Sequence, residues 1–133
     1  MIKFPTELLE LHKNWLLLDN FTKNKLKGKR CTFNNKICNF TDFSNISIPS
    51  AKAYSSSFLG CDFSNSNFTS FVCIKSTFKK SIFLETNLLD SDFRDCIFDD
   101  SDMRNVNLNV THAIQCSFNN CNLNGAFFGK NAD

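Results

Sequence analysis

The residues that could do chemistry are few. They are two histidines, His12 and His112, seven cysteines, and an acidic group running from Glu85 through Asp90, Asp92, Asp95, Asp99 and Asp100 to Asp102. Thiols and imidazoles can hold a metal, a thiol beside an imidazole can act as a nucleophile, and clustered carboxylates can attract a basic partner. The cysteines stand at 31, 38, 61, 73, 96, 116 and 121 with no CxxC pair, and seven thiols cannot all be paired. No phosphate-binding loop, GxSxG or HExxH occurs, and only four glycines are present. No reaction centre assembles from these residues in sequence, so the elements that position them decide what they do.

Those elements repeat every five residues. In CDFSNSNFTS, residues 61–70, Phe63 and Phe68 each follow a small residue by two places, Cys61 and Ser66. A helix repeats its apolar face at three to four residues and a strand at two, so neither explains the spacing. A frame opened at Cys31 runs to residue 130 without an insertion, as twenty pentads. Phe fills the third place in eleven of them, which takes eleven of the sixteen phenylalanines in the chain. Leu88, Leu108, Leu123, Ile48 and Met103 extend the large apolar series. The first place is Ala, Ser, Thr, Cys or Val in seventeen of twenty, with Lys36, Ile46 and Phe71 as exceptions. Large at the third place and small at the first describes two inward positions in a narrow interior, while the second, fourth and fifth places face water. Where Phe71 takes a small position, Cys73 takes the large one, so interior volume is conserved.

CDFSN, SNFTS, SDFRD, SDMRN, CNLNG and TNLLD resemble the A(D/N)Lxx motif of the pentapeptide-repeat proteins, over about three quarters of the chain. That resemblance implies an all-β solenoid: a right-handed quadrilateral β-helix with one pentad per face and about five coils, roughly 24 Å long at the spacing of stacked strands. Before it, PTELLELHKNWLLLDN reads as an amphipathic helix, capped by Thr6 after Pro5, with Glu7 in the first turn, an apolar stripe Leu8, Leu11, Trp15, Leu18, and Asn20 at its end. Leu9, His12, Trp15 and Leu16, with Gly28-Lys29-Arg30-Cys31, resemble the LxxHxxWL…GxRA leader of some members of that family. The expected division is a capping helix and basic linker over 1–30, repeats over 31–130 and a tail over 131–133, with the helix covering the N-terminal coil.

In this frame Cys31, Cys61, Cys96, Cys116 and Cys121 hold first positions, and Cys38 and Cys73 hold third positions. All are expected to point inward as small hydrophobes, not as metal ligands. His12 belongs to helix packing and His112 to a solvated second position. No enzyme, cofactor or metal is expected. Free thiols and the short WLLL run point to a reduced, cytoplasmic protein with no membrane span. A formal charge of +2 with no aromatics interleaved in the Lys23–Arg30 run argues against direct nucleic-acid binding.

Function is therefore expected on surfaces. Outward aliphatics of the third coil, Val72, Ile74, Ile82, Leu84 and Leu89, form an apolar girdle extended by Tyr54 and Ile114, the expected site for a protein partner. The acidic residues Glu85 to Asp102 form a second candidate surface. An open last coil beside Phe127 and Phe128 is expected to support an end-to-end homodimer. The leading expectation is a non-catalytic bacterial protein that neutralises or scaffolds one partner, with an immunity protein against a toxin as its sharpest form. The alternative implied by the resemblance is a DNA mimic that binds and protects DNA gyrase or another type II topoisomerase.

Overall fold

The computed structural model describes residues 1–17 and 30–129. Its elements are β1 (Ile2–Lys3), α1 (Thr6–Leu17), β2 (Thr32–Asn34), β3 (Thr41–Asp42), β4 (Lys52–Tyr54), β5 (Val72–Ile74), β6 (Asp92–Arg94) and β7 (His112–Ile114).

A pentad becomes one face because its fifth residue turns the chain. Every fifth position from Asn35 to Gly125 lies in the left-handed region, at φ of 49–64° for the non-glycine residues. The third-residue carbonyl accepts from the first N–H of the next pentad, as Phe63 does from Ser66 at 3.2 Å and Leu123 from Ala126 at 3.0 Å. A positive φ at the second central residue makes these type II turns. Asn, Asp and Gly, for which this conformation costs least, hold ten of the nineteen corners. At Gly60 an added Cβ would also come within 2.7 Å of the exposed Phe40 ring, which would have to swing aside. The second-place Asp or Asn braces the same corner. Asp62 accepts from the Ser64 N–H at 2.9 Å, Asn87 from Leu89 at 3.1 Å and Asn107 from Asn109 at 3.0 Å.

Four such turns close a coil, so residue i pairs in parallel with i+20. The first face stacks β2, β4, β5, β6 and β7 through Thr32, Lys52, Val72, Asp92 and His112. The second face runs through Ile37, Ser57, Thr77, Ile97 and Ser117, the third through Asp42, Asp62, Ile82, Asp102 and Asn122, and the fourth through Ser47, Asn67, Asn87, Asn107 and Phe127. The repeats thus give each face five rungs among the described residues. The result is a right-handed, four-sided parallel β-solenoid.

The interior follows the frame. Phe58, Phe78, Phe98 and Phe118 stack face to face at centroid distances of 4.9–5.0 Å, and Phe43, Phe63 and Phe83 do so at 4.9 and 4.7 Å. Phe71 is fully buried beside Cys73, as the volume argument requires. The first position does more than stay small. Ser81 Oγ donates to the Phe58 carbonyl at 2.7 Å and accepts from the Cys61 N–H at 3.1 Å. Ser56, Ser101, Thr86 and Thr111 make the same downward donation. These buried hydroxyls tie successive coils together and satisfy groups that alanine would leave to others. Cys31, Cys61, Cys73 and Cys96 are buried, whereas Cys38, Cys116 and Cys121 are half-buried because they line the end coils.

At the N-terminal end β1 adds a rung beneath β3, pairing Ile2 with Thr41 and Lys3 with Asp42, and Phe4 packs on Phe43 at 5.1 Å. α1 then crosses the opening. Its first carbonyl acceptor is Pro5, bonded by the Leu8 and Leu9 N–H groups, so Thr6 is already helical and does not cap. The stripe also shifts by one residue: Leu9 and His12 face the solenoid, while Leu8 is 43% exposed. The His12 bonds described below set that rotation. Leu18, Asn20, the basic run before Arg30, and residues 130–133, like the Trp15 side chain, lie outside the described residues.

Val110 holds a left-handed corner at φ 56° and is exposed. A β-branched residue is strained there. Val110→Asn is expected to raise the urea midpoint by an amount equivalent to about 1 kcal/mol with an unchanged m-value.

Candidate binding surfaces

His12 is fully buried. Its Nδ1 accepts from the Cys31 N–H at 2.9 Å, and its Nε2 donates to the Pro49 carbonyl at 2.6 Å. Arg30 Nε donates to the neighbouring Ser50 carbonyl. Helix, linker end and first coil are clasped at one corner, so the His, Arg and Cys of the leader motif have a structural task. Burial lowers the His12 pKa, the Pro49 bond opposes this, and the Arg30 charge adds to it. His112 sits exposed on β7 at the register partner of Asp92. The thiols are equally unsuited to reaction: burial pushes Cys31 and Cys61 up to about 11. Among the described residues no three His, Cys, Asp or Glu side chains are placed to hold a metal.

The apolar girdle does not lie on one surface. Val72 and Ile74 are on the first face with Tyr54, in adjacent rungs of the five-stranded sheet. Ile82 and Leu84 are on the third, opposite face, and Leu89 is on the fourth, so one flat partner cannot cover all five. Arg94 stands between Ile74 and Ile114 in their column. This distribution follows from the frame, because residues adjacent in one coil turn a corner every five places. The first-face trio Tyr54, Val72 and Ile74 is contiguous.

The acidic residues run from the end of the third coil over three faces of the fourth, and most have local work. Asp90, Asp95 and Asp100 occupy left-handed corners, as does Glu85. Asp92 pairs with Arg94 at 3.1 Å and Asp102 with Arg104 at 2.8 Å. The Arg104 bond holds the Asp102 carboxyl below its usual range. Asp99 accepts from Ser117 Oγ and from the Asn119 N–H. The 20-residue register also places Lys75, Lys79 and Lys80 one rung before Asp95, Asp99 and Asp100. Between residues 31 and 129 nine carboxylates face seven Lys and Arg side chains.

At the C-terminal end Phe127 and Phe128 are 56% and 44% exposed, and Phe128 borders a cavity of about 290 Å³ that also reaches Phe93, Met103 and Leu123. At the other end a cavity of about 430 Å³ lies between α1 and the first coil, with Ile37 82% exposed at its rim. Sequence reading missed this second opening, although Lys36 at a small inward place and the short Cys38 at a large one were visible signals.

A four-sided parallel solenoid with left-handed corners every fifth residue defines the class. The chain carries pentapeptide repeats: the family model for pentapeptide repeats matches residues 73–109, as eight copies. Among solved structures the fold is similar to that of QnrB1, described as a plasmid-mediated fluoroquinolone resistance protein, at 14% identity over 74% of this chain and 70% of that one, with a TM-score of 0.53. HetL, a pentapeptide-repeat protein involved in heterocyst differentiation regulation in Nostoc sp. strain PCC 7120, matches at 11% identity over 77% and 62% of the two chains, with a TM-score of 0.45. No curated protein sequence matches. Among the described residues no helix is long and apolar enough to cross a membrane.

Two outcomes are expected. Because the folded pKa of His12 is lowered, stability is fully present above about pH 6.5 and falls as pH drops below it, where the unfolded chain takes up a proton that the folded one refuses, by at most about 1.4 kcal/mol per pH unit. Urea melts between pH 7.5 and 5 would show this slope, and His12→Gln would flatten it. Ellman's reagent at pH 7.5 should leave Cys31, Cys61, Cys73 and Cys96 unreacted until guanidinium is added.

Proposed function

We propose that this protein is a non-catalytic binding protein of a reducing, cytoplasmic compartment that docks a partner protein on its first face. The observation that carries the reading is the contiguous apolar group Tyr54, Val72 and Ile74, framed by Lys52 and the Asp92–Arg94 pair. An apolar centre with a polar rim on a rigid sheet is the composition of a protein-docking patch. Seven free cysteines favour the reducing compartment. Neutralising a toxin is the sharpest form of this function, and an end-to-end homodimer through Phe127 and Phe128 would leave the first face accessible.

Charge separates this reading from DNA mimicry of the kind that protects a topoisomerase. A duplex as long as the five-rung solenoid, roughly 24 Å, would present about fourteen phosphate charges. Here seven cations offset the nine carboxylates between residues 31 and 129. QnrB1 shares the fold and is a fluoroquinolone resistance protein, but the near-neutral rod favours apolar docking for this chain.

Val72→Glu combined with Ile74→Glu places two charges at the patch without touching the core. The tagged double variant is expected to keep its melting temperature within a few degrees and to lose the partner that the unsubstituted protein retains from host lysate at high salt. Unchanged retention, or recovery of gyrase that elutes with salt, would overturn the reading.

A further inference from the structure

We propose that the N-terminal edge of the second face is a binding site for an extended acidic peptide, which adds as a parallel strand beneath Lys36–Ile37–Cys38 and inserts one aromatic side chain into the cavity under α1.

The hydrogen-bonding rule of the stack identifies the edge. In each coil above, a second-place N–H donates to the first-place carbonyl below, and the second-place carbonyl accepts from the third-place N–H below. Ser57 does both, bonding the Lys36 carbonyl at 2.9 Å and the Cys38 N–H at 2.7 Å. Ile37 occupies the same place one coil lower. Among the described residues its N–H and carbonyl have no partner, and its side chain is 82% exposed. A strand laid beneath it would bond Ile37 as the first coil bonds Ser57.

The chain already binds this way on the adjoining face. Ile2 and Lys3 pair with Thr41 and Asp42, the Phe4 N–H donates to the Asp42 carbonyl at 3.0 Å, and the Phe4 ring enters the core against Phe43. Residues 2–4 therefore act as a pentad supplied from elsewhere, with Phe4 at the third place. On the second face the third-place column Phe118, Phe98, Phe78, Phe58 ends on Cys38, whose short side chain leaves the cavity of about 430 Å³ open. An incoming third-place Phe would continue that column. The cavity wall is apolar, with Phe4, Leu8, Phe33 and Phe43 among its residues, and among the described residues those that line it and carry charge are Lys3, Arg30 and Lys36, with no carboxylate. A ligand with carboxylates flanking an aromatic residue matches that wall and rim.

The probe is the capped peptide acetyl-Ser-Asp-Phe-Asp-Gly-amide, titrated into the isotope-labelled protein. Saturable shifts of the Ile37 and Cys38 amide signals and slowed hydrogen exchange at the Ile37 N–H are expected. The peptide with Ser in place of Phe should give neither. Lys36→Glu should weaken binding about tenfold. Ile37→Pro removes an N–H that is unpaired in the free protein, so it should abolish binding while leaving the melting temperature unchanged. Should that variant fail to fold, exchange at Ile37 in the unsubstituted chain and the Lys36→Glu titration still decide. No shift at millimolar peptide, or shifts without protection of Ile37, overturns strand addition. So does binding of dodecanoate in the cavity with the peptide excluded, which would mark an acyl-chain site.

Discussion

Every other feature of this molecule depends on the left-handed corner at each fifth residue. It fixes face length at one pentad, and four corners return the chain to its starting azimuth after twenty residues. Register, stacking and the alternation of small and large interior places all follow from that closure. The conformational cost is spread over nineteen corners and is offset by turn bonds, Asx braces and coil-to-coil ladders. A solenoid without loops also has no place to hide an insertion, which is why the frame runs unbroken from Cys31.

The same constraint changes the reading of polar surface residues. Asp at a fifth place satisfies a backbone conformation, and Asp at a second place accepts the fourth-residue N–H. The acidic group from Glu85 to Asp102 is therefore populated largely by residues that the corners favour, and its density alone says little about a partner. Outward residues that no corner needs, such as Tyr54 and Ile74, carry more information. The stack makes their neighbours knowable: whatever lies twenty residues away lies one rung away.

Much of this fold was legible because the period is arithmetic. The interior assignments of the phenylalanines and the exchange at Phe71 and Cys73 needed only counting in fives. The helix rotation was not legible. The apolar stripe pointed one residue away; the leader pattern did contain Leu9 and His12, but the contact that fixes the rotation, His12 to Pro49 across 37 residues, is not written in any local spacing. The girdle follows from the same count, which separates its members onto three faces and leaves Tyr54, Val72 and Ile74 together on the first. The hydroxyl ladder was half visible: Ser and Thr recur at the first place, but smallness alone explains that until the carbonyls beneath them are located.

The N-terminal clasp has a consequence for how the chain is made. Phe4, His12 and Arg30 emerge from the ribosome before Asp42, Pro49 and Ser50, the residues that hold them. The leader must wait, unhoused, until the first coil exists. Each later coil finds a finished template beneath it, whereas the first is assembled on nothing but the segment it later anchors. In a stack where each coil touches only its neighbours, every coil made after the first gains an interface with one already complete, and the leader is housed only once that first coil has formed.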